Sequence, residues 1–130
     1  MRLVYVLDCA DPEALADFWG QALGFRRHRF HSPYLRLSDP DRRWPDLLLQ
    51  QVREAKSVKN RMHLDMQVTD AVRATAEIDR LTGLGAAVLV GPYDDDGYWT
   101  TVLADPQGNE FCVIVPPAGS DSWVQLTTPD

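Results

Sequence analysis

Apolar and polar positions alternate over residues 3–9, LVYVLDC, and again over residues 62–68, MHLDMQV. A period of two is the mark of a β-strand with one covered face. Each stretch then runs into an aspartate, a helical pattern and a glycine. In the first pass Asp11 is placed to cap a helix, Pro12 takes the first helical position and Glu13 favours the first turn. Leu15, Phe18, Trp19, Ala22 and Leu23 form its apolar stripe, and Gly24 supplies the positive φ that ends it. In the second pass Asp70 caps a helix running through Val72, Ile78, Leu81 and Leu84 to Gly85. The two aspartates lie 59 residues apart, close to half of the 130-residue chain. Three short strands are expected after each helix, at about 25–30, 34–37 and 47–52, then at 87–90, 99–103 and 110–115. Polar loops or turns separate them: SDPDRRWP (38–45), GPYDDDG (91–97) and DPQGN (105–109).

The order β-α-β-β-β, used twice, predicts an α+β architecture of two tandem βαβββ modules. One domain is expected over 1–118, with module one at 2–53 and module two at 60–116, joined by the charged, aperiodic stretch REAKSVKNR (53–61). The tail 119–130 carries Trp123, Val124 and Leu126, and an added strand or a loose end are both open readings. Strand alternation puts Leu3, Tyr5 and Leu7 under the first helix and Val4, Val6 and Asp8 on the opposite, open face. In the second module Met62, Leu64 and Met66 go under the helix, and His63, Asp65 and Gln67 go to the open face.

Composition narrows the function classes. Forty-five per cent hydrophobic residues suffice for a core, and a net charge of −6 argues against a nucleic-acid partner. The dense basic run, Arg26, Arg27, His28 and Arg29, is expected on a solvated strand or its edge. No apolar run approaches the ~18 residues of a membrane span, and no secretory signal pattern follows Met1. Two cysteines, Cys9 and Cys112, make no disulfide framework, so the expectation is a cytoplasmic protein with free thiols.

Candidate chemistry gathers on the open faces. His63 and Asp65 stand two residues apart on one strand face, where a carboxylate orients an imidazole as a general base; a structural hydrogen-bonded pair, with Arg61 or the connector as partner, is the competing reading. Asp8 and Gln67 occupy equivalent places in the two modules, suited to gripping a polar ligand or to bonding across the seam between modules. Trp19 belongs to the core, whereas Trp44, in a loop, and Tyr98 are candidates for a pocket wall. The glycine turn at 105–109 lacks phosphate-loop spacing and is structural. The acidic run 94–96 is read as a solvated loop, with a lid as the alternative. No serine has a base at readable spacing.

The repeat, together with LDCADPEALADFWGQALGF (7–25), NRMHLDMQVTD (60–70) and ADPQGNEFCVI (104–114), resembles the vicinal-oxygen-chelate superfamily of glyoxalase I, bleomycin-resistance proteins and extradiol dioxygenases. Its glyoxalase-like domain subgroup is the most similar, over about residues 2–116. The resemblance implies the glyoxalase/bleomycin-resistance fold, whose mixed sheet curls into a cup. It also implies a homodimer. In the metalloenzymes of the superfamily four residues from the first and last strands of each module hold a divalent ion, usually histidine or glutamine and glutamate. Here His63 matches one position, Val4 takes a second, Cys112 stands where glutamate is usual, and the fourth falls near Gln50, with Gln51 the alternative. Three donors, His63, Cys112 and Gln50, are the residues through which zinc, nickel, manganese or iron would bind, if Cys112 faces the cup instead of packing as a small hydrophobe. The expectation is therefore a binder of a small organic molecule, with no cofactor and the usual metal site largely lost. The alternatives are a lyase, isomerase or dioxygenase using His63 with an atypical metal or none, and a purely interacting domain.

Overall fold

The computed structural model describes residues 1–120; Trp123, Val124 and Leu126, and with them the choice between an added strand and a loose tail, lie outside the described residues. The chain divides into two compact units, Met1–Val58 and a second that begins at Lys59. The first runs β1 (Val4–Cys9), α1 (Pro12–Leu23), β2 (Arg26–Arg27), β3 (Tyr34–Ser38) and β4 (Asp46–Gln51). The second repeats the order as β5 (Asp65–Gln67), α2 (Ala71–Leu84), β6 (Ala87–Asp95), β7 (Tyr98–Ala104) and β8 (Glu110–Val115). Each unit is a four-stranded mixed sheet, β1-β4-β3-β2 and β5-β8-β7-β6, in which the first and last strands pair in parallel and the others antiparallel. This is the α+β, two-module architecture expected from the repeat.

The helices start and stop as their sequences require. Asp11 accepts from the Ala14 amide at 3.2 Å and Asp70 from the Arg73 amide at 2.8 Å, each filling one orphan donor of a first turn. Gly24 ends α1 at φ 66° and Gly85 ends α2 at φ 121°. In the first unit Leu15, Phe18 and Trp19 of α1 are buried with Leu35, Leu37, Leu47 and Leu49 of the sheet. Phe18 and Trp19 meet edge to face at 5.1 Å. Side chains of this size contribute roughly 1.5–3 kcal/mol each when fully buried, so this cluster carries the unit. In the second unit Ala74 and Leu81 of α2 are buried along with Leu103, Phe111 and Val113.

Several expectations need correction. Leu3 and Met62 are 65% and 66% exposed because each precedes its strand, and Cys9 joins the core at the far end of β1 instead. Val72, assigned to the apolar stripe of α2, is exposed. The second strand of the first unit shrinks to Arg26–Arg27, and β5 begins only at Asp65, so His63 lies in the segment leading into it. The largest change is β6, which extends through 91–95, so Asp94 and Asp95 belong to a strand and not to a loop or lid. Register shifts between Val88 and Val90 and between Val90 and Tyr93 let the ladder continue past Gly91 and Pro92.

Candidate functional site

β5 and β8 bring the candidate chemistry of the second unit together. Their parallel register sets Asp65 opposite Cys112 and Gln67 opposite Ile114, and the Cys112 amide donates to the Leu64 carbonyl at 2.9 Å. The pairing continues across the sheet, with Cys112 opposite Val102 of β7 and Ile114 opposite Thr100. Paired residues share a face, so Asp65, Cys112 and Val102 form one row and Gln67, Ile114 and Thr100 the next.

On this face His63 Nε2 lies 3.1 Å from Asp65 Oδ1. One ligand atom from each of His63, Asp65 and Cys112 lies within 4.8 Å of the other two. His63 and Asp65 are exposed, whereas Cys112 is only 6% exposed. Burial, and then the neighbouring Asp65 carboxylate with which the thiol is hydrogen-bonded, push the Cys112 thiol up to about 11. A carboxylate only accepts hydrogen bonds, so a proton on Nε2 would make this contact favourable and leave the lone pair of the neutral ring on Nδ1. Gln67 adds a fourth polar group, and its Oε1 is buried without a hydrogen-bond partner among the described residues. An orphaned acceptor of that kind calls for a donor from a ligand or water.

The remaining candidates separate. Tyr98, at the start of β7, shares the face of Thr100 and Val102 but sits four residues from Val102, about 13 Å along the strand. Asp8, Trp44 and Gln50 belong to the first unit. Asp8 is exposed on β1 opposite Gln50 of β4, and Trp44 is exposed in the loop before β4.

The register also aligns the two units position by position. Val6 stands five residues before Asp11, as Asp65 does before Asp70, and Val6 pairs with Leu48 just as Asp65 pairs with Cys112. The counterpart of Cys112 in the first unit is therefore Leu48, while Gln50 corresponds to Ile114. Val4 and Leu48, the positions of the first unit that answer to His63 and Cys112, are thus apolar. What the sequence reading missed is Asp65 as a third donor between His63 and Cys112. Its signal was present: a carboxylate two residues after the histidine.

The donor set can still be set against what a metal needs. Tetrahedral zinc, with bonds of 2.0–2.3 Å, holds its ligand atoms roughly 3.3–3.6 Å apart. The His63–Asp65 separation of 3.1 Å is already close, and the Cys112 sulfur lies within 4.8 Å of both. One nitrogen, one carboxylate oxygen and one sulfur suit zinc better than manganese, which prefers oxygen donors. These three residues fit a three-ligand centre.

A family model described as a glyoxalase-like domain matches residues 4–114. No curated protein matches the chain. Among solved structures, a glyoxalase/bleomycin resistance protein/dioxygenase family enzyme from Burkholderia phytofirmans PsJN is similar at 18% identity and a TM-score of 0.71, over 88% of this chain and 98% of that one. A glyoxalase/bleomycin resistance protein/dioxygenase from Nocardioides is similar at 16% identity and 0.71, over 92% and 87%. Protein ATC0852 from Agrobacterium tumefaciens gives 18% identity and 0.74, over 91% and 100%. At these identities the structural likeness is one of fold. Among the described residues no helix is long and apolar enough to cross a membrane.

Proposed function

The chain belongs to the glyoxalase-like domain family of the vicinal-oxygen-chelate superfamily, and from that premise we propose that it binds a small organic molecule on the open face of its second sheet, anchored by His63, Asp65, Cys112 and Gln67. The observation that carries this reading is the meeting of three chemically different side chains on that face, beside a buried amide oxygen without a partner. Asp65 lies against the imidazole at Nε2, and burial, helped by Asp65, keeps the thiol a neutral donor. His63 Nδ1 and Gln67 Oε1 then accept from a ligand, and half-buried Val102, in the row of Asp65 and Cys112, offers apolar surface beside them. A melting screen against small hydroxy-, amino- and keto-compounds tests it. Hits whose shift is lost in both Gln67→Ala and Asp65→Asn support the reading. Hits indifferent to both variants overturn it.

A second reading is favoured by the convergence of donors within 4.8 Å: a lyase, isomerase or dioxygenase that uses a divalent ion held by His63, Asp65 and Cys112. A bound ion would supply Lewis-acid polarisation of a substrate oxygen. The residues' own part would be to give up the Nε2 and thiol protons and to leave the open side of the sheet to substrate. Chelator-stripped protein melted with zinc, nickel, manganese or ferrous iron separates the two readings. A metal at 100 times its dissociation constant adds ~2.7 kcal/mol, or roughly 10 °C for a domain of this size. A shift of that order with zinc, lost in His63→Ala and in Cys112→Ala, supports the metal reading. A flat profile with every ion leaves the metal-free one.

A further inference from the structure

The first unit carries a second polar cluster, built from part of the basic run and its neighbours on β3 and β4. His28 Nε2 lies 2.7 Å from Ser38 Oγ, and Arg36 Nη2 lies 3.3 Å from His28 Nδ1. The backbone sets this up: the His28 amide donates to the Arg36 carbonyl, and Arg26 pairs with Ser38. Arg26, Ser38 and Arg36 therefore share the face of the sheet turned away from buried Leu35 and Leu37. Arg27 points the other way, to Glu13 and Asp17 of α1.

The pair His28–Ser38 has the look of a base beside a nucleophile, but its partners exclude that role. A guanidinium only donates, so Arg36 makes Nδ1 of His28 an acceptor and places the ring proton on Nε2. Nε2–H then donates to Ser38 Oγ, and His28 has no lone pair to take the serine proton. The consequence is a different device. With its oxygen engaged by the ring, Ser38 directs its own hydroxyl proton away from His28. Burial first, and then Arg36 and Arg26, hold His28 below its ordinary value, against a smaller pull upward from Asp46, which keeps the ring in this neutral state.

The charge balance points to what such donors receive. Two guanidiniums, Arg2 and Arg36, flank the Asp46 carboxylate, and a third, Arg26, acts on His28 together with Arg36. Arg2 is hydrogen-bonded to Asp46, while Arg36 Nη1 stands 3.8 Å from it, beyond hydrogen-bond range. The Arg26 side chain has no ion pair or hydrogen bond among the described residues, and Arg36 is 47% exposed with most of its N–H groups unused. A net positive corner thus persists on a chain of net charge −6.

We propose that Arg26, Arg36 and Ser38 form an oxyanion-binding site for the carboxylate or phosphate group of a small organic anion, with His28 as the residue that positions the Ser38 hydroxyl. A planar fork, a second guanidinium and a hydroxyl donor match the acceptor atoms of either group. The site stands on the first unit alone and does not depend on the reading of the His63 face.

Titration with inorganic phosphate and, separately, acetate at constant ionic strength tests it, read from the arginine Nε–H resonances. Saturable shifts at Arg26 and Arg36 are expected. Arg26→Ala and Ser38→Ala should each weaken the tighter of the two anions about tenfold. Which anion saturates first tells phosphate from carboxylate. Arg26 has no partner to lose, so its variant should melt with the parent and the loss of binding cannot be ascribed to unfolding. Linear, unsaturated shifts with both anions overturn the proposal, and so does unchanged affinity in both variants.

Discussion

Removing the Asp105 side chain should unsettle the strand that carries Cys112. Asp105, only 3% exposed, closes its own turn. Its Oδ1 accepts from the Gln107 amide at 2.9 Å and the Asn109 amide at 3.0 Å, and its Oδ2 accepts from Asn109 Nδ2 at 3.1 Å. β8 begins at the next residue, Glu110, whose amide donates to Asn60 Oδ1 at 3.1 Å while its carboxylate takes the Asn60 amide at 3.0 Å. That exchange ties the start of β8 to the segment entering the His63 face. In Asp105→Ala the half-buried Gln107 amide can turn to water, but the two Asn109 donors are buried and lose their acceptor. Each buried donor left unmade costs about 1–3 kcal/mol, which puts the variant ~3–4 kcal/mol below the parent. For a domain of this size that is a fall of roughly 10–15 °C in melting temperature. Asp105→Asn keeps one carbonyl oxygen and should lose about half as much. Urea and thermal melts of the three proteins give the comparison. A loss under about 1 kcal/mol in Asp105→Ala, or equal losses in the two variants, would refute the reasoning.

Three further outcomes follow from the geometry. At Gly91, φ 103°, an added Cβ would lie 2.7 Å from the Thr100 carbonyl oxygen, whereas at Gly24, φ 66°, it would meet nothing within 4 Å. Gly91→Ala should therefore cost well over the ~1 kcal/mol of Gly24→Ala in parallel melts, and equal costs would contradict the packing around β6. Burial would raise Asp39, but the Asp41, Arg43 and Trp44 amides and the Arg43 guanidinium outweigh it, so its folded value is lowered. Its stabilisation is full above the ordinary carboxylate range and disappears as pH falls through the lowered value, so the melting gap between parent and Asp39→Asn should close on acidification; a gap independent of pH would count against this. In a Cys9→Ser background, Cys112 should react with a small disulfide about 100-fold more slowly than an ordinary thiol near neutral pH, because its thiolate is correspondingly scarce. Asp65→Asn should recover only part of that rate, since burial is the larger cause; full recovery would show the carboxylate to dominate.

What could be read from the residues was whatever is set locally. Asp11, Asp70, Gly24 and Gly85 act within one helical turn, and the DPQGN turn closes on its own aspartate. β6 was hidden because Gly91, Pro92 and the aspartates 94 and 95 are turn residues by habit. Only the facing strand β7 and two register shifts make them part of a ladder. The position opposite Val6 was out of reach for a similar reason. The register of β4 depends on how the loop before it spends its residues, which fixes Leu48 there and moves Gln50 two places on. For the candidate site, His63 and Cys112 could be placed by matching motifs. The contact of Asp65 with both depends on a parallel pairing of residues 65 and 112, far apart in the chain.

β6 is the outer strand of its sheet, with Val88, Leu89 and Val90 exposed in succession. An uninterrupted apolar edge of nine residues would invite strands of other molecules to add to it and seed aggregates. Here each device that made the strand hard to recognise also spoils that template. Its two register shifts break the flat row of backbone groups, Pro92 withholds an amide, and Asp94 and Asp95 bring like charges to any copy aligned on it. The irregularity of β6 thus protects the colloidal stability of a chain that leaves much of its greasy surface uncovered.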